Sequence, residues 1–308
     1  LENWTSEGAR IAREEAKKRE TMEAALLNKL TNAARKGQAA QVKRIFASLG
    51  NRSFSSGLGE ALAAACAANS IECVEFLLSK MSSPNTLDKS GVSPLHIAVR
   101  VGSSEIVGRL LQAKADPNLA AKDGSTPLLN AVGNLIWKET TISKRVQKNY
   151  LAIAKMLLEA GADILSQSGE DDRTALHDII ASKNDDLLEM ARERIDPRAL
   201  SLTTRRGHSV LHEAVVGGFV RAVELLAHYQ NGGLLDMRDE NGHTALTLAL
   251  SPFVRHDKRT IVSIAKILLN SGANPFAADN NGSSVVQAIK KRNLSQVPLF
   301  CCLFVSSI

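Results

Sequence analysis

Residues 88–118 read DKSGVSPLHIAVRVGSSEIVGRLLQAKADPN, and the same grammar returns along the chain. Residues 121–132, AKDGSTPLLNAV, repeat its first half, and residues 150–165, YLAIAKMLLEAGADIL, repeat its second. Leu62, Leu95 and Leu128 stand 33 residues apart, with Leu30 upstream at 32. Leu176, Leu211, Leu246 and Val286 follow at intervals of 48, 35, 35 and 40. A period of this kind marks a row of small units, each able to bury its apolar face only against a neighbour.

Local chemistry sets the elements inside each unit. Gly91, Gly124, Gly242 and Gly282 follow polar residues and supply the positive φ of a tight turn. Ser93, Thr126, Thr174 and Thr244 come next as N-caps, with Pro94 and Pro127 at the first helical position. A short inner helix then carries Ala98, Ala131, Ala214 or Ala249, small enough for close stacking. An outer helix carries apolar pairs such as Leu110-Leu111 and Leu268-Leu269, and Gly161 and Gly272 close two of these helices in a left-handed conformation. Upstream, residues 6–35 predict a helix supported by Glu14–Lys18 and Glu15–Arg19 pairs and ended by Gly37, before a second helix in VKRIFASL. The expected organisation is a charged helical extension over 1–20, a repeat domain over 21–296 and an apolar tail, VPLFCCLFVSSI, over 297–308.

The strings SPLHIAV, TALHDII, SVLHEAV, HTALTLAL, GADIL and GANPF resemble the ankyrin repeat over about residues 24–295. That resemblance implies an all-α solenoid of about eight stacked helix-turn-helix units with short β-hairpin-like fingers. It implies a protein-binding face made of fingers and inner helices, and no catalytic site. It also implies that His96, His177 and His212 hydrogen-bond between units. Three departures stand out. Lys114 and Asp172 occupy positions where glycine is usual, and the outer helix in DDLLEMARERIDP is poor, so the unit at 169–200 is expected to be irregular. Two insertions, near 135–149 and 251–260, fall between inner and outer helices. Both are basic and carry an aromatic: Trp137 with Lys138, Lys144, Arg145 and Lys148, and Phe253 with Arg255, Lys258 and Arg259. Together they form a candidate basic docking edge.

Composition narrows the function class. The 308 residues carry a net charge of +6, but both signs are interspersed and only 4% of residues are aromatic, which disfavours a nucleic-acid platform. Cys66, Cys73, Cys301 and Cys302 lack zinc-ligand spacing and fit a reducing compartment, the cytoplasm or alternatively the nucleus. No apolar run reaches the ~18 residues of a membrane span. Cys301-Cys302 lies too far from the end for prenylation, since Val305 holds the fourth-last position. The chain begins at Leu1, so it is expected to be a piece of a longer protein.

No constellation reads as catalytic. His177-Asp178 and His212-Glu213 are sequence neighbours and point in different directions on a helix. His208 and His212 are four apart, but Val216 stands where a second helical zinc ligand would be needed. No Gly-rich phosphate loop is present. The expectation is therefore a non-enzymatic interaction scaffold with no cofactor or metal, its oligomeric state open with a monomer favoured, that binds another protein, one with an acidic surface being a candidate. The residues expected to contact it are Asn130, Asp178, Glu213 and Thr247 on inner helices, and Lys89, Lys122, Asp123, Arg205, Arg206, Glu240 and Asn280 on fingers. The alternatives are a targeting module of a larger enzyme or effector, and a nucleic-acid binder using the basic insertions.

Overall fold

The structure, a computed structural model, describes residues 2–49, 55–81, 83–88, 90–137, 143–167, 171–229, 233–294 and 297. These fall into two compact units: residues 1–122 with 144–156, and residues 123–143 with 157–308. The first contains α1 (Glu2–Arg35), α2 (Ala39–Leu49), α3 (Ser55–Ala67), α4 (Ile71–Leu78), α5 (Pro94–Val101) and α6 (Ser104–Gln112). Inner helices α1, α3 and α5 pack in sequence, as do outer helices α2, α4 and α6. Next come α7 (Pro127–Trp137), in the second unit, and α8 (Lys144–Glu159), whose residues divide between the units after Met156. The second unit continues with α9 (Ala175–Ala181), α10 (Asp185–Arg192), α11 (Pro197–Ser201), α12 (Val210–Gly217), α13 (Val220–Ala227), α14 (Ala245–Leu250), α15 (Lys258–Asn270) and α16 (Val285–Arg292). Here α7, α9, α12, α14 and α16 are the inner row, and α13 packs on α15 in the outer row.

The anchors Leu30, Leu62, Leu95, Leu128, Leu176, Leu211 and Leu246 are all buried, as are Ala98, Ala131, Ala214 and Ala249. Full burial of each leucine side chain is worth about 1.5–3 kcal/mol. Val286 occupies the same register but is only half-buried, because no helix follows α16 among the described residues. Cys66 and Cys73 lie in the core, and burial pushes the Cys66 thiol up to about 12. Residues 10–20 of the extension are exposed and continue without a break into the rest of α1. Glu15 meets Arg19 at 3.9 Å as expected, whereas Glu14 meets Arg10 at 3.7 Å and not Lys18.

Inner-helix starts share one device. Ser93, Thr174, Ser209, Thr244 and Ser284 accept the N–H of the third helical residue: His96, His177, His212, Thr247 and Gln287. In four of them that third side chain reaches back to the cap's own N–H, completing a reciprocal box. His177 Nδ1 accepts from the Thr174 amide at 3.3 Å, so the ring proton sits on Nε2, which donates to the His208 carbonyl at 3.1 Å. His212 repeats this, accepting from Ser209 at 3.2 Å and donating to the His243 carbonyl at 3.0 Å. Each of these two imidazoles therefore caps its own helix and ties down the next finger, as the resemblance implied. Burial holds both neutral, pushing His177 down to about 4 and His212 down as well.

One expectation needs correction. The outer helix of the 169–200 unit is well formed: Asn184 Oδ1 caps α10 by accepting from Leu187 at 3.0 Å, and Leu187, Leu188 and Ala191 are buried. The irregularity comes after it. Arg194 swings back to donate to the Leu158 and Ala162 carbonyls at 2.6 and 3.1 Å, and the extra helix α11 starts at Asp196-Pro197. Within the first insertion, residues 135–137 end α7 and residues 144–149 begin α8, which have 11 and 16 residues against 8 and 9 in α5 and α6; residues 138–142 lie outside the described residues. The second leaves a turn at 251–257, after which Asp257 caps α15 by accepting from Thr260 at 3.1 Å.

Lys114 and Asp172 are left-handed, with φ of 68° and 55°. A side chain there is disfavoured by about 1 kcal/mol relative to glycine. Lys114→Gly should therefore raise the thermal midpoint of the chain, and a lower or unchanged midpoint would show that other Lys114 contacts outweigh the strain.

Candidate partner-binding surface

Three fingers are turns clamped by an aspartate at their start. Asp88 Oδ1 accepts the Ser90 and Val92 amides at 2.8 and 2.9 Å. Asp239 Oδ1 does the same for Asn241 and His243 at 2.9 and 2.8 Å, and Asp279 Oδ1 for Asn281 and Ser283 at 2.9 and 2.8 Å. In the second unit the fingers are also tied to one another. The Arg205 amide donates to the Asp171 carbonyl at 2.9 Å, Glu240 to Arg206 at 3.0 Å, and Asn280 to Asn241 at 3.0 Å. Gly207 makes this approach possible: its φ is +75°, and a Cβ there would sit 3.1 Å from the Asp239 Cα and the Glu240 nitrogen. Antiparallel bridges, Gln167–Thr174, Thr203–Ser209 and Ala278–Ser284, close three finger bases.

The backbone is consumed in this ladder, which Asn280 Nδ2 joins by donating to the Glu240 carbonyl at 3.2 Å, and the tips remain exposed. Arg205, Arg206, Glu240 and Asn280 are exposed in the second unit. Lys122, in the first unit, and Asp123, in the second, are exposed as well. Lys89 lies outside the described residues. Asn130 is half-buried, with its Nδ2 3.5 Å from Ser125 Oγ. Lys144, Arg145 and Lys148 are exposed on α8, and Phe253, Arg255, Lys258 and Arg259 are exposed in the turn and first residues of α15. Lys138 and the side chain of Trp137 lie outside the described residues.

Three inner-helix residues do not face solvent as the sequence reading supposes. Asp178, Glu213 and Thr247 are buried. Thr247 completes the α14 cap, accepting from the Thr244 amide at 2.8 Å and donating to its carbonyl at 3.0 Å. Asp178 and Glu213 share Arg173, which donates Nε to Asp178 Oδ1 at 2.8 Å and a terminal nitrogen to Glu213 Oε1 at 2.9 Å. From there charged and polar groups continue across the finger bases. His208 stands 3.4 Å from Glu213 and 3.6 Å from Asp239, and His243 stands 3.2 Å from Asp239 and 3.6 Å from Asp279.

The two acids respond differently to burial. For Asp178 desolvation wins and raises its pKa despite Arg173. For Glu213 desolvation is outweighed by hydrogen bonds from His208 and Arg173, and its pKa drops to about 2. Sequence reasoning missed Arg173 as their partner. The available signal was its register: Arg173, His208 and His243 recur at 35-residue intervals, each just after the finger turn. Among the described residues no group of three His, Cys, Asp or Glu side chains is placed to hold a metal ion, and no helix is long and apolar enough to cross a membrane.

No match to a curated protein was found. Among solved structures, the chain is similar to the ankyrin repeat domain of Bcl-3, described as a unique member of the IkappaB protein family. The identity is 21% and the TM-score 0.55, over 77% of this chain and 96% of that one. It is also similar to EF0377, an ankyrin repeat protein, at 24% identity and a TM-score of 0.55, over 68% of this chain and 96% of that one. These likenesses speak to the fold. Family models for ankyrin repeats match residues 30–121, 62–168 and 241–280, together more than half of the sequence. With its capped inner helices, buried leucine anchors and clamped fingers, the chain belongs to the ankyrin repeat family.

Proposed function

We propose that this chain is a non-enzymatic module that binds a partner protein through its finger tips, and that the partner presents an acidic surface there. Ankyrin repeats are in general protein–protein interaction modules. One observation supports the finer reading. Arg205 and Arg206 are adjacent, exposed and without a carboxylate partner among the described residues, while their backbone is fixed on both sides by Asp171 and Glu240. A tip held in place loses little conformational freedom on binding, and adjacent guanidinium groups suit bidentate pairing with carboxylates. Glu240, Asn280, Lys122 and Asp123 supply further exposed specificity positions. Buried Cys66 and Cys73, both free thiols, are in keeping with a reducing compartment such as the cytoplasm.

The reading separates two kinds of variant. Arg205→Glu with Arg206→Glu should leave the melting temperature unchanged, weaken a partner captured from the native host by tenfold or more, and flatten the salt dependence of that binding. Equal affinity and equal salt dependence would remove these residues from the site. Glu213→Gln should act on stability instead, lowering it at neutral pH by about 3 kcal/mol. Because the folded-state pKa of Glu213 lies below its ordinary value of 4.5, its contribution is fully present above pH 4.5 and lost as pH falls toward 2. The stability gap between wild type and Glu213→Gln, read from urea midpoints, should close over that window. A gap that stayed constant with pH would contradict the ionised, paired carboxylate.

A further inference from the structure

A cavity of about 460 Å3 opens in the second unit between α14 and α16. That volume is in the range of ligand-sized pockets, roughly 300–1,000 Å3. It exists because the chain departs from its own repeat at this point. After Leu250 the 251–257 turn replaces a tight interhelix connection, and Phe253 folds back until its ring meets His243 edge-on at 6.1 Å. Phe253 remains 76% exposed, an unusual position for a large apolar side chain that already lines a cavity. Leu250, Pro252 and Ala288 supply further apolar surface.

The charges around it are unequal. Asp279 lines the cavity, but its carboxylate is occupied: Oδ1 accepts two backbone amides and Oδ2 stands 3.6 Å from His243 Nε2. Lys291 is exposed and has no carboxylate partner among the described residues. Arg292 donates to the Val254 carbonyl at 2.9 Å, a neutral partner that leaves its charge uncompensated. The cavity thus combines an aromatic wall with two cations that lack an anion. A small inorganic anion would use only the cations, and a purely apolar group only the wall.

We infer that this cavity is a docking site for an acidic peptide segment of a partner protein, which seats an aliphatic or aromatic side chain against Phe253 and sets a neighbouring carboxylate on Lys291 and Arg292. The inference rests on the reading of the chain as a protein-binding module, but its surface is distinct from the Arg205-Arg206 tip.

The test is to pan a display library of random short peptides on the intact 308-residue chain and titrate the enriched peptides by fluorescence anisotropy. The enriched peptides should carry Leu, Ile or Phe beside Asp or Glu. Phe253→Ala and Lys291→Glu, both at exposed positions, should each weaken them about tenfold, equivalent to about 1.4 kcal/mol. Arg205→Glu with Arg206→Glu should leave their affinity unchanged. Failure to enrich peptides, a basic consensus, or affinities indifferent to Phe253→Ala and Lys291→Glu would overturn the inference. Peptides that depend on Arg205 and Arg206 alone would support the finger-tip site while overturning this one. Peptides that depend on Phe253 and Lys291, together with a native partner indifferent to the arginine exchange, would do the reverse.

Discussion

The hydrogen bond from a neutral, buried histidine to the next finger is the interaction on which the ordered surface depends. His177 and His212 each have two ring nitrogens with separate duties. One closes the cap of an inner helix and the other holds a carbonyl 31 residues further on. Helix start and finger position therefore cannot vary independently. Protonating either ring would turn its accepting nitrogen into a donor facing another donor, which is why burial and bonding both favour the neutral form.

The column of charges at the finger bases adds a second coupling. Arg173 sits between two carboxylates, and Glu213 gains a further donor in His208 while Asp178 does not. That asymmetry explains the opposite pKa shifts of two acids with similar burial. A buried arrangement of this kind contributes less net stability than its short distances suggest, because desolvation opposes the attraction. Its effect is geometric: removing one member strands the others, so the finger bases are held in one arrangement.

Much of this was legible in the sequence where the determining chemistry is local. A glycine after a polar turn, a hydroxyl three residues before its amide partner and a leucine at a fixed register each act within one unit. The left-handed Lys114 and Asp172 could be recognised for that reason. What could not be read depends on residues far apart. Asp178 and Glu213 look like exposed inner-helix positions until Arg173 is placed against both, 40 residues from Glu213. The α10 helix looks weak until Leu187, Leu188 and Ala191 are seen to be buried, although its cap, Asn184, is local. The cavity beside Phe253 needs α16, whose Lys291 and Arg292 lie well beyond the insertion that the sequence marked.

The account requires finger tips whose backbone is fixed from inside while their side chains remain exposed. Native-state hydrogen exchange at the amides of Arg205, Glu240 and Asn280 measures this directly, since each donates to the adjacent finger. The account predicts protection comparable to that of amides in α12 and α14, lost only when the whole unit opens. Exchange at the rate of an unstructured loop, with the inner helices still protected, would contradict it.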